Sequence, residues 1–160
     1  MRKSEKILYM QKKYHEMGFS VICRICTCVL RIIFSCDIPS TVKMGNGIQL
    51  VHNGLGVVIH PQTIIEDNVK IYQNVTLGGN AKLIDGHIIN NGAPYIEKNV
   101  AIFAGACVLG PVKIGKNSLI GANTVVLKDV PENSVVYGNP CKITPKKNDY
   151  NFSQNTSNKE

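Results

Sequence analysis

Apolar residues recur every six positions through most of the chain. Ile59, Ile65, Ile71 and Leu77 stand six apart, and after a break the series resumes at Ile96, Ile102, Val108, Ile114, Ile120 and Val126. A less regular start runs Ile38, Met44, Leu50. Four residues after most of these positions comes a small or β-branched residue: Val69, Val75, Val100, Ala106, Val112, Ser118, Thr124, Val130. A sustained period of six is neither the 3.6 of a helix nor the alternation of a simple strand, and it marks a repeat architecture. Each hexad reads as one short strand and a turn, and three hexads close one triangular coil. The repeated aliphatic points into a narrow core, and the small residue lets the corner close. Successive coils pair as parallel strands about 4.8 Å apart. A coil buries its core only with coils above and below it. The pattern predicts a mainly β fold, a parallel β-helix from about Ile38 to Pro131, within a domain spanning 37–144.

Two departures from the period stand out. Between Leu50 and Ile59 the register gains three residues, around Val51-His52-Asn53-Gly54-Leu55-Gly56. Between Leu77 and Ile96 lies a polar excursion, residues 78–95, opening with Gly78-Gly79 and containing His87. In so regular a stack these segments leave the prism surface, which is where sites are built. Residues 1–36 read as a helical segment, basic and polar first (Arg2, Lys3, Lys6, Lys12, Lys13), then apolar from Phe19 to Phe34 with Arg24 and Arg31 interrupting. It is too short and too charged for a membrane span. It either packs on the β-helix or a partner subunit, or lies on the inner membrane surface as a basic amphipathic anchor. Residues 145–160, rich in Asn, Ser and Lys, read as a disordered tail.

Composition narrows the class. A hydrophobic fraction of 44% supports a core, and an aromatic fraction of 6% with no Trp suits thin aliphatic layers. The net charge of +7 favours anionic partners, but no nucleic-acid motif accompanies it, so nucleic acid is not expected. No signal peptide is evident at the start of the chain, which points to a reducing cytoplasm, and the six Cys are not expected to form disulfides. Cys23-x-x-Cys26-x-Cys28 lacks the second ligand pair of a zinc ribbon and reads as apolar helix filler, so no metal is expected.

Four stretches, in order and spacing, resemble the serine acetyltransferase branch of the hexapeptide-repeat acyltransferases. They are Asp37-Ile38 through Gly45-Asn46-Gly47 to His52; Ile71 to Gly79; Ala104-Gly105-Ala106-Cys107-Val108-Leu109-Gly110; and Ile120 to Pro131, closing with Gly138-Asn139-Pro140-Cys141-Lys142-Ile143. The resemblance implies the left-handed sense of the β-helix, a homotrimer, and acetyl-CoA as acyl donor in a groove between neighbouring prisms. It makes His52 the general base and Asp37, fifteen residues earlier, its carboxylate partner. An imidazole titrating near neutrality can take the proton of an attacking alcohol, and a carboxylate on its other nitrogen fixes the tautomer. Backbone N–H near Gly78-Gly79 is the candidate oxyanion donor, where two glycines permit close approach and unusual φ. Ala104 and Ala122, one coil apart, match positions lining the pantetheine arm. Lys128, Lys142 and Lys146 are candidates for the CoA phosphates, and His87 for acceptor contact. His60 reads as structural and His15 as helix surface.

The resemblance breaks on the acceptor side. Serine-using enzymes of this branch carry Arg-His before a Pro after the excursion, and this chain reads Gly92-Ala93-Pro94. Glycine cannot replace a bidentate carboxylate ligand. Only 36 residues precede Asp37, against a long helical domain in those enzymes, and the chain ends in Lys159-Glu160 rather than the Ile that docks the downstream sulfhydrylase. Short members of the branch in surface-polysaccharide gene sets acetylate sugar hydroxyls. The expectation is therefore a cytoplasmic acetyl-CoA-dependent O-acetyltransferase acting on a sugar or surface polysaccharide. Serine O-acetylation is the alternative, and a non-catalytic assembly module a further one.

Overall fold

The computed structural model describes residues 1–146, apart from the side chains at positions 82–84, 88 and 90. Two helices, α1 (Lys3–Glu16) and α2 (Ser20–Phe34), come first. Gly18, at φ +80°, makes the turn between them. Then come β1 (Lys43–Met44), β2 (Gln49–Leu50), β3 (Val58–Ile59), β4 (Ile64–Ile65), β5 (Lys70–Ile71) and β6 (Thr76–Gly78). After a hairpin of β7 (Ala81–Ile84) and β8 (His87–Asn90) the coils resume with β9 (Tyr95–Ile96), β10 (Ala101–Ile102), β11 (Cys107–Leu109), β12 (Lys113–Ile114), β13 (Leu119–Ile120) and β14 (Val125–Val126). The top is β15 (Ser134–Tyr137) and β16 (Lys142–Pro145).

Three parallel sheets form the faces of a left-handed β-helix: β1-β4-β9-β12, β2-β5-β10-β13-β15 and β3-β6-β11-β14. Register explains the six-residue period. Ile65, Ile96 and Ile114 stack on one face, Leu50, Ile71, Ile102, Ile120 and Val136 on the second, and Ile59, Leu77, Val108 and Val126 on the third. All are buried, as is the second column from Val69 to Val130. Ile96 pairs with Ile114, eighteen residues on, whereas Leu50 pairs with Ile71, twenty-one on, so the three extra residues are expelled between those two coils.

The corners need left-handed backbone, and asparagine supplies it at low cost. Asn68, Asn99, Asn117 and Asn133 all have φ near +60°. The amide of Asn99 donates to Asn117 at 3.1 Å, and that of Asn117 to Asn133 at 3.0 Å, a ladder up one edge. The polar excursion is a two-stranded antiparallel arm closed by Asp85-Gly86, both at positive φ, the conformation of a type I′ turn. Gly78 and Tyr95, expected at its ends, belong instead to β6 and β9, because each keeps parallel ladder partners in the prism.

The top departs from expectation too. β16 runs antiparallel to β15 and caps the last coil, and Lys146 N–H donates to the Asn133 carbonyl at 2.7 Å. Pro145 and Lys146 are thus held by the β-helix rather than belonging to a tail; residues 147–160 lie outside the described residues. At the other end α1 braces the first coils. Gln11 is buried and donates to Thr27 Oγ1 at 2.7 Å and to the Ile38 carbonyl at 3.2 Å. The inner face of α2 is Cys23, Cys26 and Leu30, with Cys28 on the outer side. Burial pushes the Cys36 thiol up to about 11, as for an apolar filler.

Candidate active site

His52 lies on a 3-10 turn, Val51–Gly54, that carries the chain from β2 to β3. His52 and Asn53 both adopt left-handed backbone, φ 54° and 58°. Such geometry costs a non-glycine residue on the order of 1 kcal/mol or more and persists only where neighbours impose it. The neighbours are visible. Ser4 Oγ donates to Asn53 Oδ1 at 3.4 Å, and Glu5 Oε1 accepts the Leu50 N–H at 3.0 Å, so the first turn of α1 clamps both ends of the loop entry. Gly56, at φ +68°, sits where a Cβ would overlap the Asn74 side chain. The result is an exposed imidazole on a fixed backbone, with no hydrogen bond to its ring among the described residues.

Asp37 enters beside this loop. Its N–H donates to the Val57 carbonyl at 2.8 Å and its carbonyl accepts from Ile59 at 2.9 Å, so it bridges to Val58 as the lowest rung of one face. The rungs above it are Val58, Thr76, Cys107 and Val125, one coil apart each. The expected Asp37–His52 hydrogen bond is not made. Arg31, on the last turn of α2, takes both carboxylate oxygens, Nε to Oδ1 at 2.8 Å and Nη2 to Oδ2 at 2.9 Å. A planar guanidinium matches a carboxylate with two parallel bonds, which an imidazole cannot. The pair is solvent-accessible, 58% and 36% exposed, and pairs of that kind hold by about 1 kcal/mol or less. Arg31 therefore occupies Asp37 without locking it.

Gly78 ends β6 opposite Leu109, and its carbonyl accepts the Gly110 N–H at 2.9 Å. Its φ is ordinary, which corrects the expectation of unusual backbone there. Its lack of a side chain matters for space, since a Cβ would stand 2.8 Å from the Leu109 Cδ2. Gly79 follows where the arm leaves the prism. Ala104 and Ala122 are brought together on one corner: Asn123 N–H donates to the Ala104 carbonyl at 2.9 Å. Lys128 follows β14 and Lys142 opens β16, both exposed and on different faces. Lys146 is half-buried, and its Nζ donates to the Asn117 carbonyl at 3.3 Å. His87 is exposed at the tip of the arm, opposite Ile84 across the turn. At about 3.4 Å per residue the tip stands some 10 Å from the base of the arm. His60 is half-buried, with Nδ1 accepting the Gln62 N–H at 3.3 Å.

Gly92 has φ +99°, and a Cβ there would come within 3.2 Å of Pro111. The backbone is adapted to glycine, so an arginine at this place would be strained as well as new. A cleft elsewhere on the prism, lined by Glu66, Glu97, Lys113, Lys116 and Glu132 among others, includes neither His52 nor Asp37. Four of its charges pair internally, Lys113 with Glu97 at 2.7 Å and Lys116 with Glu132 at 2.8 Å. Three contributors escape the sequence pattern: Arg31, Ser4 and Glu5. Arg31 had a faint signal, an isolated cation in an apolar helix six residues before Asp37; Ser4 and Glu5 had none.

The chain is similar to known proteins over most of its length. Residues 93–128 match the family described as bacterial transferase hexapeptide (six repeats). The chain is 44% identical over 138 residues to the serine acetyltransferase of Staphylococcus aureus strain Mu50, covering 85% of this chain and 58% of that protein. It superposes on the crystal structure of serine acetyltransferase from Vibrio cholerae O1 biovar El Tor N16961 with a TM-score of 0.79 at 29% identity, covering 94% of this chain and 56% of that one. The Brucella abortus strain S19 enzyme, solved in complex with coenzyme A, gives a TM-score of 0.76 at 32% identity over 89% of this chain and 55% of that one. The chain thus spans about half the length of the curated relatives it matches.

Proposed function

This chain is a serine acetyltransferase-like hexapeptide-repeat protein, and we propose that it transfers the acetyl group of acetyl-CoA to an alcohol with His52 as general base. The observation that carries the reading is the His52 loop. An exposed imidazole is held on strained backbone beside the Asp37 strand, at the place where the coil register is deliberately lost. As the acceptor oxygen attacks the thioester carbonyl, His52 takes the hydroxyl proton. The new C–O bond forms, the C–S bond breaks, and the imidazolium returns the proton to the departing thiolate. Asp37, released from Arg31, orients the ring and supports its positive form. A backbone N–H at Gly78-Gly79 meets the developing oxyanion, while the corner of Ala104 and Ala122 leaves room for the pantetheine arm and Lys128 and Lys142 attract the phosphates. The outward rungs Val58, Thr76, Cys107 and Val125 form an apolar face on which Val58 is 44% exposed, and they support a homotrimer with donor grooves between prisms. Acetyl-CoA as donor suits a cytoplasmic setting.

L-serine is the leading acceptor. The relatives described above are serine acetyltransferases, and nothing in them supports the sugar acceptor expected from the sequence. One observation favours the sugar as a second reading: the glycine-adapted backbone at Gly92, where the serine-using pattern has its arginine. A thiol-release assay with acetyl-CoA decides between them. Turnover of millimolar L-serine, with O-acetylserine as product, supports the first reading. Turnover only with saccharide hydroxyls overturns it in favour of the second.

A further inference from the structure

We propose that the outer face of α2 seats this protein on an anionic phospholipid surface. This surface stands apart from the catalytic reading above and does not depend on it.

The observation is where the apolar surface lies. Among the described residues, nine of the fourteen large exposed hydrophobics fall within the first 33 positions, and the prism carries few. On α2 they follow the helix. Val21, Ile25 and Ile32 are 69%, 57% and 81% exposed, and Cys28 lies between them on the same stripe. The opposite stripe, Cys23, Cys26 and Leu30, is fully used by packing. So α2 is apolar on both sides, and folding of this chain satisfies only one.

Charge selects the occupant. Residues 1–36 hold seven Arg and Lys against two acids, Glu5 and Glu16. Glu5 is buried, paired with Arg2 and bonded to the Leu50 N–H. Arg24 is exposed beside Ile25 on the same face. A second copy of α2 laid on the first would bring cations together, with only the exposed Glu16 of each hairpin to answer them. A plane of lipid phosphates with acyl chains beneath offers a counter-charge and an apolar bed together. No described helix is long and apolar enough to cross a membrane. At about 1.5 Å per residue α2 is some 22 Å long and lies along the surface. Its last turn carries Arg31, which grips Asp37, so the seated face adjoins the candidate site.

The test is flotation of the full chain with vesicles of phosphatidylglycerol and of phosphatidylcholine, at low and high salt. The expected result is at least about tenfold tighter binding to phosphatidylglycerol, falling steeply as salt shortens the screening length, and loss of binding in Ile25→Glu and Ile32→Glu with unchanged circular dichroism. Arg24→Glu, a change at a solvated position, should weaken binding severalfold and serves if the isoleucine variants fold poorly. Absence of flotation on phosphatidylglycerol overturns the proposal. So does equal, salt-insensitive binding to both lipids, or unchanged binding in all three variants. A protein that ignores vesicles but loses a self-association when Ile25 becomes Glu shows that the face belongs to a second copy, which also overturns it.

Discussion

The coils above Tyr95 and the segment from His52 to Pro94 are built from the same hexads, yet they behave as different materials. Above Tyr95 three successive strand pairs run eighteen residues apart, with the last, β13 to β15, sixteen apart; the core columns are unbroken, and the corners carry a ladder of asparagines. Below it the register slips by three residues at His52, and the arm from β7 to β8 leaves the prism altogether. In the upper region the inward aliphatics of successive coils are buried against one another. The lower region holds three left-handed residues in a row, His52, Asn53 and Gly54, where a regular corner has one, and α1 and α2 brace it. Repetition supplies the frame here, and its failures carry the residues we propose as reactive.

If this contrast is right, substitutions below should cost activity and those above should cost stability. Asp37→Asn should lower kcat for acetyl transfer by about 100-fold or more, with the KM for acetyl-CoA little changed, because the imidazole loses the anion that stabilises its protonated form. Ile102→Ala, in the middle of its column between Ile71 and Ile120, should cost about 2–5 kcal/mol in urea unfolding. Gly56→Ala should cost about 1–3 kcal/mol, since its left-handed φ and the Asn74 side chain both oppose a Cβ. Its activity should fall further than that loss of stability accounts for, because Gly56 shapes the exit of the His52 loop. The smallest effect belongs to Glu97→Gln. The hydrogen bond from Lys113 holds the Glu97 carboxyl below its ordinary value of 4.5. Its contribution to stability is therefore present above the unfolded pKa and lost as pH falls through the folded one. The variant should show a flatter decline of the unfolding midpoint below about pH 4.5, with activity untouched.

Much of this was legible in the sequence. The inward aliphatic at every sixth residue, from Ile59 to Val126, identifies the strands, because a two-residue strand in a tight coil has one inward position and tolerates little else there. The places of His52 and the arm were legible as breaks in that count. Asp85-Gly86 also carried the signature of the hairpin turn, although the segment reads only as polar when taken whole. What the sequence did not carry is long-range: the clamp of Ser4 and Glu5 on the His52 loop joins residues more than forty apart, with no periodicity linking them. Arg31 on Asp37 depends on how the end of α2 is turned, which helix patterning alone does not fix. The ordinary φ at Gly78 shows the same limit, since a glycine chosen for space looks the same in sequence as one chosen for conformation.

The most direct test of the central claim is His52→Ala, assayed for acetyl transfer and, in parallel, for acetyl-CoA affinity by calorimetry. The account predicts that transfer falls by about 10²–10⁴-fold while the Kd for acetyl-CoA stays within about twofold. Transfer that survives the substitution, or affinity lost in step with it, would contradict His52 as the base.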